Sequence, residues 1–230
     1  MLILFLFVHF LLIGDGNAKN LTDSAKVTTV NDHLCRRFST VLCVKDVLDK
    51  IQLRSKQIIR TALDIEKEIF SHERTPDMLN QYVHFLMAQV EESAPTHQQS
   101  SQFFHLNNID KNMFINLLTE MHFAMSYLYN SINSVLEYND IFKIKVDKNF
   151  SYIRVNLEEI ICNMRHILDT YSCKWSSVDQ AGHTNFTNLG KDFRSPTFVH
   201  NVHSVILVKL LRGWMTTLDS VFYGLESKII

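Results

Sequence analysis

Glycine and proline are scarce in this sequence, with 6 and 3 occurrences among 230 residues. Turn-rich all-β folds use more of both residues, so their scarcity favours long, uninterrupted helices. An excess of charge of one sign is also absent, because 23 lysines and arginines balance 24 aspartates and glutamates. A chain without a basic excess lacks the electrostatic footprint of a nucleic-acid-binding protein, so we expect no nucleic-acid partner.

The signatures of common enzyme sites are missing as well. The chain contains no Gly-rich phosphate loop, no nucleophile elbow and no His-Glu-x-x-His sequence, which are patterns that hold phosphates, a catalytic serine or zinc. His200 and His203 have a spacing that suits two metal ligands on one helix, but a pair of partly exposed helix histidines is the simpler interpretation. The sequence therefore predicts a protein that is not an enzyme and holds no cofactor or metal.

Long apolar runs are limited to the first residues of the chain. Residues 2–13 form such a run, and Gly16 and Ala18 provide the small residues of a cleavage site. This pattern predicts a secretory signal peptide over residues 1–18, although no basic residue precedes the run. An uncleaved membrane anchor would need about 20 apolar residues. Residues 19–230 are therefore predicted to form one secreted, extracellular domain that does not insert into a membrane.

Helical periodicity dominates the rest of the chain. Apolar residues recur at steps of three and four, the pattern of amphipathic helices. The four segments that show it predict helices at about 39–70, 109–138, 152–173 and 196–227. A short helix at 78–93 and a mobile polar stretch at 94–102 are expected between the first two long helices. Gly213, in the middle of the last helix, is a candidate point for a close helix crossing.

The lengths of the three connections choose between bundle topologies. The second and third long helices are joined by about ten residues and must be antiparallel neighbours, whereas each of the other connections has about twenty or more. At about 3.3 Å per residue, a connection of that length can return along a whole helix. Long, short and long connections predict an all-α, up-up-down-down four-helix bundle with two crossovers.

Four cysteines form an even set that suits an oxidising compartment. Cys162 and Cys173 would lie about 16 Å apart on one helix, whereas a disulfide needs Cα atoms within about 7 Å. Each is therefore expected to reach Cys35 or Cys43, at the start of the first helix. The predicted bonds are Cys43–Cys162 and Cys35–Cys173, and the crossed pairing is the alternative.

Three N-glycosylation sequons also fit a secreted chain. They begin at Asn20, Asn149 and Asn185, each with serine or threonine two residues later. N-linked glycans mark surface positions of secreted proteins, so the sequons and the signal sequence predict the same destination.

Three segments resemble those of a known cytokine family. The stretch 160-IICNMRHILD-169 is similar to the cysteine-bearing third-helix segment of the leukemia inhibitory factor and oncostatin M branch of the interleukin-6 superfamily. The stretch 43-CVKDVLDKIQ-52 resembles the first-helix segment, and 209-KLLRGWMTTLDSVFYGLES-227 is similar to last-helix segments of the superfamily. The resemblance implies a long-chain four-helix cytokine that binds class I cytokine receptors, triggers JAK-STAT signalling and acts in growth control or immunity.

The resemblance also implies which surfaces bind partners. In the family, the paired faces of the first and third helices bind glycoprotein 130, the shared signal-transducing receptor chain. A receptor chain like those for leukemia inhibitory factor or oncostatin M completes the implied complex, and the ligand is a monomer before it binds. Polar residues of those faces and two aromatic residues of the last helix are the candidate contacts: Gln57, Arg60, Glu158, Glu159, His166, Phe198 and Trp214.

One family motif is not reproduced in this sequence. A phenylalanine followed three residues later by a lysine, at the start of the last helix, engages the leukemia inhibitory factor receptor in the family. Alignment through residues 211–214 places Asn201 and Ser204 at these positions. Phe193 and Phe198 lie nearby without a matching lysine, so the motif does not predict use of that receptor.

Two other functions fit the same bundle. A hormone of the growth hormone or leptin type shares the topology. A secreted carrier that opens around an apolar ligand would have an internal cavity and bound lipid. A cytokine is instead expected to have a packed core and to bind receptor ectodomains, so a binding assay separates these alternatives.

Overall fold

The computed structural model describes residues 44–137, 145–171, 181–184, 186 and 196–228. The α-helices in these ranges are α1 Val44–His72, α2 Pro76–Glu91, α3 Gln98–His105, α4 Lys111–Glu137, α5 Lys145–Tyr171 and α6 Pro196–Lys228. The regular structure of the described residues is helical, which confirms the predicted all-α class. The long helices α1, α4, α5 and α6 pack around one core, and α2 and α3 lie in the first long connection.

The described bounds of the later long helices can be compared with the predicted ones. α4 and α6 differ from those bounds by two residues or fewer. α5 begins at Lys145 rather than at about residue 152. Its added first turns contain Val146 and Phe150, which are buried and continue the apolar stripe of the helix. Residues 138–144 separate the described end of α4 from the described start of α5.

The middle of α6 is enclosed on all sides. Four consecutive residues, Val205, Ile206, Leu207 and Val208, are each 0% exposed. Successive residues of an α-helix point about 100° apart, so four in a row cover every direction around the helix axis. α6 packs against α1, α2, α3 and α4. The short helix α2 therefore covers a side of α6 that the long helices alone would leave in water.

α1 and α6 run in opposite directions. Early in α1, the Lys56 amine lies 3.4 Å from the Asp219 carboxylate, near the end of α6. Just after α1, Glu73 accepts a hydrogen bond of 3.1 Å from the Asn201 amide, near the start of α6. Because the residue numbers rise on α1 as they fall on α6, the two helices are antiparallel.

The second long connection is attached to the later half of α4. The Thr184 amide donates a hydrogen bond of 2.9 Å to the Ser131 hydroxyl, and Asn130 donates one of 2.7 Å to the carbonyl of Ala181. Two residues further along, the Phe186 ring lies 4.7 Å from the His203 ring on α6, measured between centroids. The later half of α4 is thereby connected to the early part of α6.

α3 begins inside the polar stretch at 94–102 that was expected to be mobile, and it ends three residues beyond that stretch. Its two ends meet side chains of opposite charge. The Glu120 carboxylate of α4 accepts hydrogen bonds from two backbone amides in the first turn of α3. The Lys228 amine of α6 donates bonds of 2.8 Å to the carbonyls of Phe103 and Leu106 at the other end. An anion at the N-terminus and a cation at the C-terminus both stabilise the helix dipole.

The predicted disulfides fall mostly outside the described residues. Cys162 is buried and disulfide-bonded, and its partner lies outside those residues. Cys35, Cys43 and Cys173 lie outside them as well. The pairing therefore stays a prediction, as does the signal peptide over residues 1–18.

Two glycines of α6 provide a matched pair of substitutions. A Cβ added at Gly213 would meet nothing within 4 Å, so this candidate position is not a point of close helix crossing among the described residues. A Cβ at Gly224 would lie 3.3 Å from the Phe103 ring, which is fully buried and cannot easily move. We expect Gly213→Ala to raise the free energy of unfolding by up to about 1 kcal/mol through helix propensity. Gly224→Ala should raise the free energy of unfolding by less than this or should lower it. Chemical denaturation measures both variants, and equal gains in the free energy of unfolding would contradict the expectation.

The Lys228 amine should decide the stability of α3. Lys228→Met keeps the apolar stem and removes the hydrogen-bond donor. This should lower the free energy of local opening of α3 by about 1 kcal/mol. Hydrogen exchange of the amides at 99–106 should then be about fivefold faster than in the unsubstituted protein. Lys209→Met, which removes another cation of α6, is the control and should leave that exchange unchanged. Equal exchange in both variants would show that the amine does not hold α3.

Candidate functional site

The surface that joins α1 and α5 carries most of the predicted contacts. The two helices pack against each other. At the surface, Arg54 of α1 forms a 2.7 Å ion pair with Glu159 of α5 and donates a 2.9 Å hydrogen bond to Gln57. The Arg54 guanidinium group thus holds both the Glu159 carboxylate and the Gln57 side-chain amide in place. We call this surface the α1–α5 face and define it by its accessible side chains: Leu53, Gln57, Arg60, Tyr152, Val155, Glu158, Glu159 and His166.

The five predicted polar residues of this face are all at least partly accessible. Arg60 and His166 are exposed, whereas Gln57, Glu158 and Glu159 are half-buried. The half-buried residues have limited freedom, and a side chain that is already ordered loses less entropy when a partner binds it. The Arg54–Glu159 ion pair is partly accessible to solvent, and ion pairs that water can reach contribute only about 0–1 kcal/mol to stability. Its main effect here is to fix the positions of the groups on the face.

Three apolar residues of the α1–α5 face were not among the predicted contacts. Leu53, Tyr152 and Val155 are 55%, 46% and 56% exposed. Tyr152 and Val155 lie three residues apart on α5, and Glu159 follows one turn later, so the three share one side of the helix. A signal for them exists in the sequence, because each is an apolar residue outside the buried stripe of its helix. Accessible apolar and aromatic groups are the usual energetic centre of a protein interface.

Trp214 is not available as an aromatic anchor in this structure. It is 2% exposed and stacks on the His97 ring with 3.7 Å between the centroids. The interpretation of Trp214 as a core residue, which the sequence left open, is therefore the one that its burial supports. The predicted contact at this position is wrong for the described conformation, because a partner cannot reach the indole ring.

Phe198 lies on a second surface, at the start of α6. It is half-buried, and its ring meets the Tyr82 ring edge-on with 5.7 Å between the centroids. Two exposed apolar residues, Met78 and Phe85, lie one turn to either side of Tyr82 on α2. We call this group the α2–α6 patch: Met78, Tyr82, Phe85 and Phe198.

The positions that align with the Phe-x-x-Lys motif are not free on this surface. Asn201 donates a hydrogen bond to Glu73. Ser204 is fully buried and lies 3.3 Å from the His200 ring, measured between Oγ and Nε2. A side chain as enclosed as that of Ser204 cannot contact a receptor, whereas Phe198 remains partly accessible.

A third group of exposed apolar residues lies at the other end of α6. Phe104 and Leu106 come from α3 and the residue that follows it, and Tyr223 belongs to α6 and is 85% exposed. Lys228 holds the carbonyls of Phe104 and Leu106. We call this group the α3–α6 patch: Phe104, Leu106 and Tyr223. The positions of Phe198 and Tyr223 on one helix place the two patches about 38 Å apart.

Two histidines of α6 are buried, although the sequence indicated that they would be partly exposed. His200 and His203 are each 3% exposed, so the expectation of partly exposed histidines is wrong. Burial lowers the pKa of His200 to about 4, because the charged form would lose its hydration. Burial also lowers the pKa of His97, and the nearby Glu120 carboxylate acts in the opposite direction. In the described part of the chain, no group of three or more His, Cys, Asp or Glu side chains could hold a metal ion.

None of the helices in the described ranges combines the length and the apolar character needed to cross a membrane. Comparisons with protein-family models, with curated proteins and with solved structures give no match.

Buried His200 should make the bundle sensitive to acid. Its pKa in the folded chain is about 4, below the ordinary value of about 6.5 that it regains on unfolding. The contribution of His200 to the free energy of unfolding is therefore fully present above pH 6.5 and is lost as the pH falls towards 4. We expect the free energy of unfolding to drop by about 2 kcal/mol more in the unsubstituted protein than in His200→Gln between pH 7 and 4.5.

Urea unfolding curves at the two pH values measure this difference. His84→Gln, which changes an exposed histidine of α2, is the control and should retain the full acid sensitivity. The same drop in His200→Gln as in the control would assign the acid response to other groups.

Proposed function

We propose that the protein is a secreted cytokine of the interleukin-6 superfamily type, which binds and clusters class I cytokine receptors that include a glycoprotein 130-like chain. In this proposal the clustered receptors bring their bound kinases together and start JAK-STAT signalling. The observation that carries the proposal is the presence of separate, accessible apolar groups on one helical bundle: the α1–α5 face, the α2–α6 patch and the α3–α6 patch.

We infer an up-up-down-down topology as part of this proposal. α1 is antiparallel to α6, as the contacts of Asp219 and Asn201 require. The Ile109 amide, just before α4, donates a 2.8 Å hydrogen bond to the carbonyl of Lys228 at the end of α6. Together with the link from Ser131 to His203, this supports an antiparallel α4 and α6. At about 3.3 Å per residue, the few residues between Glu137 and Lys145 are too short to return along α4. This supports an antiparallel α5, so that in the proposal α1 and α4 run one way and α5 and α6 the other.

Separate binding groups on a rigid body suit a clustering mechanism. A ligand with one site occupies one receptor, whereas a ligand with two or three holds receptors at a fixed distance and raises their effective concentration. The α2–α6 and α3–α6 patches share one continuous helix, so their separation of about 38 Å cannot vary by much. On the third surface α1 and α5 are held together by their packing, to which the ion pair Arg54–Glu159 adds a polar contact.

The α1–α5 face combines the features of a binding site for a protein. It has accessible apolar groups at Leu53, Tyr152 and Val155, surrounded by charged and polar groups such as Arg60 and Glu158. This arrangement resembles the apolar centre and polar rim of protein interfaces. We therefore assign the glycoprotein 130-like chain to this face in the proposal.

Substitution of Leu53 tests this assignment. Leu53→Asp places a charge in the centre of the face and should weaken binding to a glycoprotein 130-type ectodomain at least tenfold, which corresponds to about 1.4 kcal/mol. Leu63→Asp is the matched control: Leu63 is also exposed and lies on α1, but it follows Lys56 by two turns on the side that faces α6. Binding of purified variants to immobilised ectodomains, with STAT phosphorylation in responsive cells, measures both effects.

The control variant should bind within about twofold of the unsubstituted protein. Equal losses in the two variants would remove the α1–α5 face from the proposal. If the unsubstituted protein binds no ectodomain of the glycoprotein 130 type, the proposed function itself is wrong.

A further inference from the structure

Asn149 begins a sequon at the edge of the α1–α5 face. It lies in the second turn of α5, where its side chain is half-buried. Among the described residues, no hydrogen bond engages its amide group. The sequon continues with Phe150, which is 0% exposed and belongs to the core, and with Ser151, which is half-buried. The other two sequons begin at Asn20 and Asn185, which lie outside the described residues.

The burial of Phe150 determines when this sequon can be modified. A transferase must bind the three residues of a sequon together, and Phe150 is inaccessible once α5 has packed. The reaction must therefore precede folding, on the chain as it enters the secretory pathway. Asn149 itself remains at the surface, so a glycan attached there can extend into solvent after the helix has formed.

Tyr152 is an accessible aromatic residue of α5 that follows Asn149 by three positions. Residues three apart are neighbours on a helix surface, and a helical side chain leans towards the N-terminus of its helix. The Tyr152 ring, which is 46% exposed, therefore leans back towards Asn149. Val155 lies one turn further along the same side. An aromatic ring offers a flat apolar surface against which the apolar face of a sugar can pack.

We propose that Asn149 carries an N-linked glycan whose first sugars cover Tyr152 and so reduce access to the α1–α5 face. The bond forms between Asn149 Nδ2 and C1 of an N-acetylglucosamine. The C1–O bond from that carbon to a lipid-linked pyrophosphate breaks. The pyrophosphate leaves with the electron pair and, in the overall balance, takes up the proton that the amide loses. The inference rests on secretion of the chain, as in the proposed function, and it adds a means of control: glycosylated and unmodified forms present different α1–α5 faces.

The test compares secreted proteins from glycosylating cells. Ser151→Ala removes the sequon and keeps Asn149, and Thr22→Ala removes the sequon at Asn20 as a matched control. Release of glycans by an N-glycosidase in heavy-oxygen water marks each occupied asparagine by mass. We expect the mark at position 149 in the unsubstituted protein and in Thr22→Ala, and its loss in Ser151→Ala. Absence of the mark from position 149 in the unsubstituted protein overturns the inference.

Hydroxyl-radical footprinting measures whether the glycan covers the ring. Oxidation of Tyr152 relative to Tyr223, which is 85% exposed and serves as the internal reference, should be at least threefold lower with the glycan than in Ser151→Ala. The variant Asn149→Gln should behave like Ser151→Ala, which separates the loss of the glycan from any effect of the serine. An equal ratio in glycosylated and unmodified protein overturns the shielding.

Receptor binding distinguishes this inference from the proposed function. Ser151→Ala should bind a glycoprotein 130-type ectodomain at least threefold more tightly than the glycosylated protein, and Thr22→Ala should bind as the unsubstituted protein does. Equal binding by Ser151→Ala and by the glycosylated protein overturns the inference that the glycan reduces access to the α1–α5 face. If neither form binds while Tyr152 is protected, the proposed function is wrong and the shielding by the glycan is retained.

Discussion

The enclosure of α6 is the constraint on which the rest of the structure depends. Its middle turn exposes no side chain in any direction, so hydrophobic burial is complete only when neighbours surround it. In a bundle of four long helices, each helix keeps one side towards water. The first connection therefore has to supply a further wall, which α2 provides. The long connection is thus part of the core as well as a link between helices.

This enclosure also determines which groups stay at the surface. α2 and α3 bring their own apolar residues to the two ends of α6, and those that do not fit against it, such as Phe85 and Phe104, remain exposed. α1 packs against α6 through another side than the α1–α5 face, and α2 and α3 pack against α6 or α4 instead of this face. The accessible apolar groups are therefore distributed around the bundle instead of forming one continuous area, which favours several small contacts over one large one.

Local periodicity in the sequence predicted the long helices, whereas features that depend on contacts between distant residues were missed. The apolar stripes predicted the long helices, and the same signal at Val146 and Phe150 could have extended α5 to its true start. α3 could not be found in this way, because its polar residues become helical where Glu120 and Lys228, far away in the chain, meet its two ends. The candidate site divides similarly: Gln57 and Glu159 followed from alignment and helix faces, whereas the burial of Trp214 depends on His97, from the first connection.

The contact between Lys228 and α3 bears on the order in which the chain folds during synthesis. A ribosome makes α3 long before it reaches Lys228, so the first connection cannot take its final form until nearly the whole bundle has been translated. Phe103, which ends in the core beside Gly224, cannot complete its burial before α6 has been made. Exposed apolar residues of this kind are what chaperones bind. The final turn of α6 therefore has to be made before the first connection can complete its contacts in the bundle.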